Sequence, residues 1–277
     1  MRISIVTPSL NQGRFIERTI RSVLEQTGEF ELEYRVQDGG STDGTLEMLR
    51  RYEGRLHWAS EPDRGPADAI NKGLARATGE VLAWLNSDDT YCPGALARVA
   101  ALFHSRPDLL WLHGRCQIVD EQDRPIRSLI SSYKHRLSLR YSYRRLLTEN
   151  FISQMTVFWR REALDRLGAP PLLDTQLQLA FDYDLWLRLG RLGAPAYIAR
   201  PTACFRWRPD SLSGARFERQ FEEDFQVSCR YAGRQRSLLW LKRWRSARIV
   251  WVYRALGWLG RRRKKSSGAP AGERKER

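Results

Sequence analysis

VLAWLNSDD, residues 81–89, is an unbroken apolar run that ends in two adjacent aspartates, and the fold turns on how it is read. Burying Val81 to Leu85 removes apolar surface from water at roughly 25 cal/mol per Å², which suits a strand covered on both faces. Asp88 and Asp89 then emerge at its carboxyl end, and in an open α/β sheet the crevice beyond the strand ends is where ligands bind. Two carboxylates a few ångströms apart repel unless one holds a proton or a cation joins them. On these residues alone the pair reads either as part of a divalent-metal site or as the cap of a helix beginning near Pro93.

Upstream of this run the same unit recurs. Residues 3–7 predict a strand, and Ile16, Ile20, Val23 and Leu24 follow at helical spacing. A strand near 33–37 precedes a helix from Asp43, and one near 56–60 precedes a helix with Ile70, Leu74 and Ala77 on its inner face. The quoted run and a helix over about Pro93 to His104 make a fourth unit. Such alternation implies an α/β fold with a mostly parallel central sheet and helices on both faces. Beyond residue 108 the rhythm changes. LLWLHGRCQIV (109–119) and RPIRSLI (124–130) predict two longer strands joined by a turn, and 133–148 is a basic stretch without a readable period. SQMTVFW (153–159) predicts a strand, and AFDYDLWLRLGRLG (180–193) a helix ending at Gly193.

Aromatics at 11% and apolar residues at 42% of 277 residues exclude a disordered chain. The four cysteines, Cys92, Cys116, Cys204 and Cys229, have no zinc-site spacing and suit a reducing compartment. No apolar run reaches the length of a spanning helix, and no signal-like stretch follows Met1, so the expected location is cytoplasmic. The charge is uneven. Fifteen Lys or Arg against two Glu from Arg234 onward account for +13 of the net +15.

The four strands end in polar or turn-forming residues: Pro8-Ser9-Leu10-Asn11, Asp38 to Asp43, Glu61 to Gly65, and Asn86-Ser87-Asp88-Asp89. A shared rim of this kind needs a cation to hold a phosphorylated ligand. Neither a GxGxxG nor a GxxxxGK[ST] string is present, which counts against a dinucleotide fold and a P-loop.

TPSLNQGRFIERTIRSVLEQ, DGGSTDGT, EPDRGPADAINKG and LNSDD, in that order, resemble the nucleotide-sugar half of family 2 glycosyltransferases of the GT-A fold. The likeness is close over residues 2–100 and looser to about 215. It implies a GT-A domain over 1–233, with a nucleotide-sugar half (1–104) and an acceptor half (105–233). It also implies an inverting transfer from a nucleotide sugar, expected to be UDP-linked, to a hydroxyl of a surface-glycan or polyprenyl-linked acceptor. Residue by residue, the resemblance assigns Asp38 to the base, with Pro8, Ser9 and Asn11 beside it, and Asp63 to the nucleotide or donor sugar. It turns Asp68 and Asn71, three apart on one helix face, toward the donor.

Asn86-Ser87-Asp88 stands where many relatives have Asp-x-Asp, so one carboxylate is here an amide. Asp88 and Asp89 then share ribose and Mg²⁺ or Mn²⁺ between them. Hard oxygen ligands with a phosphate partner favour these ions over zinc. Asp182 aligns with the family's general base, with Asp184 as the fallback; a turn or helix-start role is the alternative for both Asp38 and Asp182. Gln154 is equally an acceptor contact or a hydrogen-bonded strand residue. In FRWRPDSLSG, Arg208 replaces the histidine of relatives; Arg cannot ligate a metal, so Arg206 and Arg208 are expected to pair with diphosphate.

The tail predicts a basic amphipathic helix over 234–265, carrying a stripe of Trp240, Trp244, Trp251 and Trp258, with Lys242, Arg243 and Arg254 on its other side and a disordered end over 266–277. Indole rings and cations suit the inner face of the plasma membrane, where the protein is expected to sit peripherally; a helix packed on the domain with a solvated basic end is the alternative, and no nucleic-acid module frames the segment. Two alternatives stay open on sequence: a sugar-phosphate nucleotidyltransferase, for which PSLNQGRF is a poor phosphate loop, and a non-catalytic sugar-nucleotide or membrane-binding relative.

Overall fold

A computed structural model describes residues 1–168, 172–208, 211, 217–233 and 237–247. The first part of the chain runs β1 (Arg2–Ser9), α1 (Ile16–Leu24), β2 (Glu31–Asp38), α2 (Thr45–Arg50), β3 (His57–Ser60), α3 (Pro66–Ala75), β4 (Val81–Trp84), β5 (Thr90–Tyr91) and α4 (Ala95–Ser105). The remainder is β6 (Trp111–Val119), α5 (Ser128–Leu139), α6 (Tyr143–Thr148), a 3-10 turn (Gln154–Thr156), β7 (Val157–Arg160), α7 (Arg161–Leu167), α8 (Phe181–Leu192), β8 (Ala196–Arg206) and α9 (Phe217–Tyr231). Residues 237–247 are helical.

The described strands form one sheet in the order β3-β2-β1-β4-β7-β6-β8-β5. β1 to β4 are parallel, as the alternation requires. β7 is antiparallel to both β4 and β6, and β5 is antiparallel to β8. The period of two along each strand sorts side chains into two cores. Ile3, Ile5, Val81, Ala83 and Leu85 pack with Ile16, Ile20 and Val23 of α1 and Leu96, Val99 and Phe103 of α4. Val6, Leu82 and Trp84 pack on the opposite face with Ile70 and Leu74 of α3 and with α8. α3 approaches closely because residue 73 is glycine: a β-carbon there would stand 2.4 Å from Val6 Cγ1. In the second core Trp186 of α8 stacks on Trp84 at 5.5 Å and on Trp111 at 6.5 Å, so α8 is keyed to the ends of β4 and β6.

Three expectations need correction. RPIRSLI is not a strand. Ile126 N still donates to Ile118 O at 2.8 Å, but Arg127 turns left-handed at φ 52° and the chain enters α5. The basic stretch 133–148 belongs to α5 and α6, and SQMTVFW begins as a 3-10 turn before β7. β8 gave no strand signal, since AYIARPTACFR carries charges and a proline; it pairs with β6 through a register shift around Arg115 and Pro201. Among the described residues no helix is long and apolar enough to cross a membrane.

Candidate active site

The strand ends meet as the sequence requires. Ser9 lies opposite Asp38, and Asp38 opposite Ser60. Asp38 is fully buried and ties two loops together: Oδ2 accepts from Gly40 N (3.0 Å), Ser41 N (2.9 Å) and Ser60 Oγ (2.7 Å), and Oδ1 from Ser41 Oγ. Asn11, at φ 52°, bridges to the same loop; its N–H donates to Ser41 Oγ at 2.7 Å and its Oδ1 accepts from Thr42 N at 2.9 Å. Asp63 Oδ1 accepts from Gly65 N at 2.8 Å, and Oδ2 lies where a β-carbon on Gly39 would be 2.3 Å away. Glycine at 39 is therefore what lets Asp63 fold over the end of β2. Pro8 and Ser9 are buried under this rim, and Ser9 Oγ has no hydrogen-bond partner among the described residues.

The two adjacent aspartates diverge. Asp89 is fully buried; its Oδ1 accepts from Arg206 N at 2.9 Å and its carbonyl from Thr19 Oγ1 at 2.8 Å. Burial, reinforced by repulsion from Asp88, pushes its carboxyl well above the usual range. Asp88 keeps 17% of its side chain exposed and pairs with Arg208 Nη2 at 3.2 Å. Burial pushes this carboxyl up while Arg208 and then Arg206 draw it down. Arg206 donates through Nε to Asp88 O (3.0 Å), through Nη1 to Asp120 O (2.9 Å) and through Nη2 to the Asp123 carboxylate (2.5 Å). With 1% of its side chain exposed and the guanidinium so engaged, Arg206 fixes the loop and does not open toward a ligand, whereas Arg208 keeps 11% of its side chain exposed. Asp89 likewise anchors the loop and does not open toward a ligand. Asn86 reaches Asp89 Oδ2 only at 3.4 Å.

This donor set fits a hard cation as an open site. Asp88 supplies one accessible carboxylate, and among the described residues no three His, Cys, Asp or Glu gather into a cage. Mg²⁺ is commonly held by one or two carboxylates with phosphate oxygens and water completing its shell.

Asp68 and Asn71 are committed elsewhere. Asp68 accepts from Arg64 N at 3.1 Å and Arg64 Nη2 at 3.3 Å, which hold its carboxyl below the usual range. Asn71 clamps Leu173 in both directions, donating to its O and accepting from its N at 2.9 Å each. Gln154 donates to Trp84 O at 2.7 Å.

Asp182 opens α8. Phe181, 6.4 Å from Trp84, sets this helix end against the foot of the Asp88 loop. Burial, with repulsion from Asp224 of α9, pushes the Asp182 carboxyl up to about 7, while Tyr183 N donates to it at 2.6 Å. The fallback Asp184 is buried, paired with Arg188 at 2.9 Å and bonded by Tyr231 Oη at 2.7 Å, which removes it as a candidate.

Sequence reading missed four contributors. Phe15 is buried beneath the guanidiniums of Arg208 (4.5 Å) and Arg206 (5.6 Å). Glu223 Oε2 accepts from three successive backbone N–H groups, Gln178, Leu179 and Ala180, and so shapes the turn that presents Asp182. Asp224 is the third. Lys242, expected on the side of the tail helix away from the tryptophans, is 2% exposed and packed inward. No local pattern marks these residues, because each has a partner at least forty positions away in sequence. Trp251, Arg254, Trp258 and the 266–277 end lie outside the described residues.

The family model described as glycosyl transferase family 2 matches residues 4–168. The putative teichuronic acid biosynthesis glycosyltransferase TuaG of Bacillus subtilis is 30% identical over 199 residues, 70% of this chain and 74% of that one. The chain spans less than half the length of the first curated relatives it matches, 40% and 46%. S. aureus TarS 1–349 in complex with UDP superimposes with a TM-score of 0.60 at 18% identity, over 82% of this chain and 64% of that one. The mannosyltransferase PcManGT of Pyrobaculum calidifontis, in complex with GDP-Man and Mn²⁺, gives 0.59 at 20% identity, over 92% and 79%. The sheet and its flanking helices share the GT-A fold of these structures.

Proposed function

The chain belongs to glycosyl transferase family 2, and from that premise we propose that it transfers a sugar, with inversion, from a nucleotide-sugar donor to a hydroxyl of a surface-glycan or polyprenyl-linked saccharide. The observation that carries the reading is the place of Asp182 at the head of a helix whose Phe181 packs against Trp84 at the foot of the Asp88 loop; burial, which raises its carboxyl, supports it. Complexes of TarS with UDP and of PcManGT with GDP-Man and Mn²⁺ support a nucleotide donor. The name of TuaG supports a cell-surface acceptor.

In this reading the base lies over Pro8, Ser9, Asn11 and Asp38, with Asp63 toward the ribose or sugar. The diphosphate lies toward Asp88 and Arg208, whose guanidinium offers a fixed positive charge where the leaving group's charge grows. Mg²⁺ or Mn²⁺, held by Asp88 and the donor's own oxygens, supplies further neutralisation when bound. Asp182 accepts the proton of the attacking hydroxyl at a carboxylate oxygen; a base with a pKa near 7 is both available and strong enough at neutral pH. Asp89, Arg206 and Asn71 hold the frame.

The tail supports a membrane-side acceptor. Trp240 and Trp244 are 78% and 56% exposed, and we place the protein peripherally on the inner face of the plasma membrane.

Thermal unfolding of the full chain with UDP-, GDP- and dTDP-sugars, each with and without Mn²⁺, tests the donor reading. One nucleotide sugar should raise the Tm in a Mn²⁺-dependent way. Asp182→Asn should keep that shift while losing turnover by about 100-fold or more. Indifference to every nucleotide sugar overturns the proposal.

A further inference from the structure

The helical segment 237–247 has two unlike faces. Trp240 and Trp244 are four apart and both point outward, whereas Lys242, two residues from each, lies about 200° round the helix and is 2% exposed. A buried ammonium is costly unless it is paired. Lys242 Nζ donates to Tyr183 Oη at 3.0 Å and stands 4.2 Å over the Tyr183 ring. That hydroxyl also bonds Leu146 O at 2.6 Å and Ser228 Oγ at 2.9 Å, so the tyrosine is rigidly held. Tyr183 is the residue after Asp182 and donates its N–H to the Asp182 carboxylate. Asp224, 5% exposed on α9, is the charge that both groups sense: it repels Asp182 and attracts Lys242.

We infer that Lys242 is a positioning residue for Asp182: through Asp224 and Tyr183 it sets the charge around the proposed base, and it couples seating of the 237–247 segment to proton acceptance. The inference rests on the reading of Asp182 as that base.

The groups facing this cluster come from several elements. Asp182 faces Asp224 of α9 and Lys134 of α5. Asp224 faces Lys242, Lys134, Asn150 and Glu223. Lys242 faces Asp224, Cys229 and Glu149. Burial pushes Asp224 up to about 6 and Lys242 down to about 8. Two substitutions then act on Asp182 in the same direction. Removing the ammonium makes Asp224 harder to ionise, and an uncharged Asp224, like an asparagine there, no longer repels Asp182.

The direct test is ¹³C NMR titration of the aspartate carboxyl carbons in the full chain, with the Asp182 resonance assigned by its loss in Asp182→Asn. Asp224→Asn should move the Asp182 midpoint down by about half to one pH unit, and Lys242→Met should move it the same way by no more than that. Lys242→Arg should leave it near the wild-type value. Midpoints that stay put in folded Asp224→Asn and Lys242→Met protein, or that move up, overturn the inference. Should Lys242→Met fail to fold, an unmoved midpoint in Asp224→Asn still overturns it. Turnover of the stabilising nucleotide sugar separates the two claims: an active Asp182→Asn enzyme overturns the reading of the base and the inference with it.

Discussion

Glu223→Ala should be among the most destabilising single changes in the second half of the chain. The carboxylate is 7% exposed and its Oε2 receives Gln178 N at 3.0 Å, Leu179 N at 2.8 Å and Ala180 N at 3.2 Å, while Oε1 takes Arg219 Nε at 3.2 Å. Leu179 and Ala180 are buried, so their N–H groups lose their partner with little access for water; Gln178 is exposed and is readily hydrated. Leaving a buried donor unsatisfied costs about 1–3 kcal/mol, and hydrogen bonds to a charged acceptor lie at the upper end. The three bonds share one oxygen and are not additive. Two buried donors therefore give a loss of about 2–4 kcal/mol, or roughly 4–16 °C in Tm for a domain of this size. Glu223→Gln keeps an acceptor oxygen of the same shape and should lose about 1 kcal/mol. Urea unfolding followed by tryptophan fluorescence measures both through the midpoint, provided the slope is unchanged. An alanine variant within 0.5 kcal/mol of wild type would refute the assignment of Glu223 as the anchor of this turn.

Three further outcomes are expected. Asn71→Ala removes both bonds to buried Leu173 and should cost about 2–3 kcal/mol in urea unfolding while leaving the donor KM within twofold; a selective rise in KM would restore Asn71 to the donor site. The Asp182 carboxyl is raised to about 7 in the folded chain, above its unfolded value near 3.9, so the folded state binds the extra proton between these pH values and loses stability as pH climbs through them. Asp182→Asn should therefore match wild type near pH 4 and exceed it by about 4 kcal/mol at pH 8, and a constant difference across that range would contradict the raised carboxyl. Replacing Trp240 and Trp244 together by Ser should abolish flotation with vesicles containing anionic phosphatidylglycerol and spare the Tm; flotation that persists would place the contact elsewhere.

The parallel half was legible because its signals are local: each strand of β1 to β4 is contiguous with its helix, and Ile16, Ile20 and Val23 or Ile70 and Leu74 announce their buried faces. The rim followed, since parallel strands must end on one side. What stayed hidden depends on partners distant in sequence. Asn71 shares a helix face with Asp68, as spacing requires, yet its partner Leu173 is 102 residues away. Lys242 sits in a strongly basic segment and is buried only because Tyr183 and Asp224 converge on it. Asp88 and Asp89 look equivalent as letters; Arg206, fixed by β8, distinguishes them.

The two-residue strand β5 has a temporal consequence. It pairs with β8, and Asp89 is pinned by the backbone of Arg206, 117 positions later. During synthesis at about 5–20 residues per second, the acidic loop therefore waits roughly 6–23 s after leaving the ribosome for the segment that locks it. The early βα units can consolidate from neighbours already made, but the carboxylate pair acquires its final arrangement only once β8 arrives.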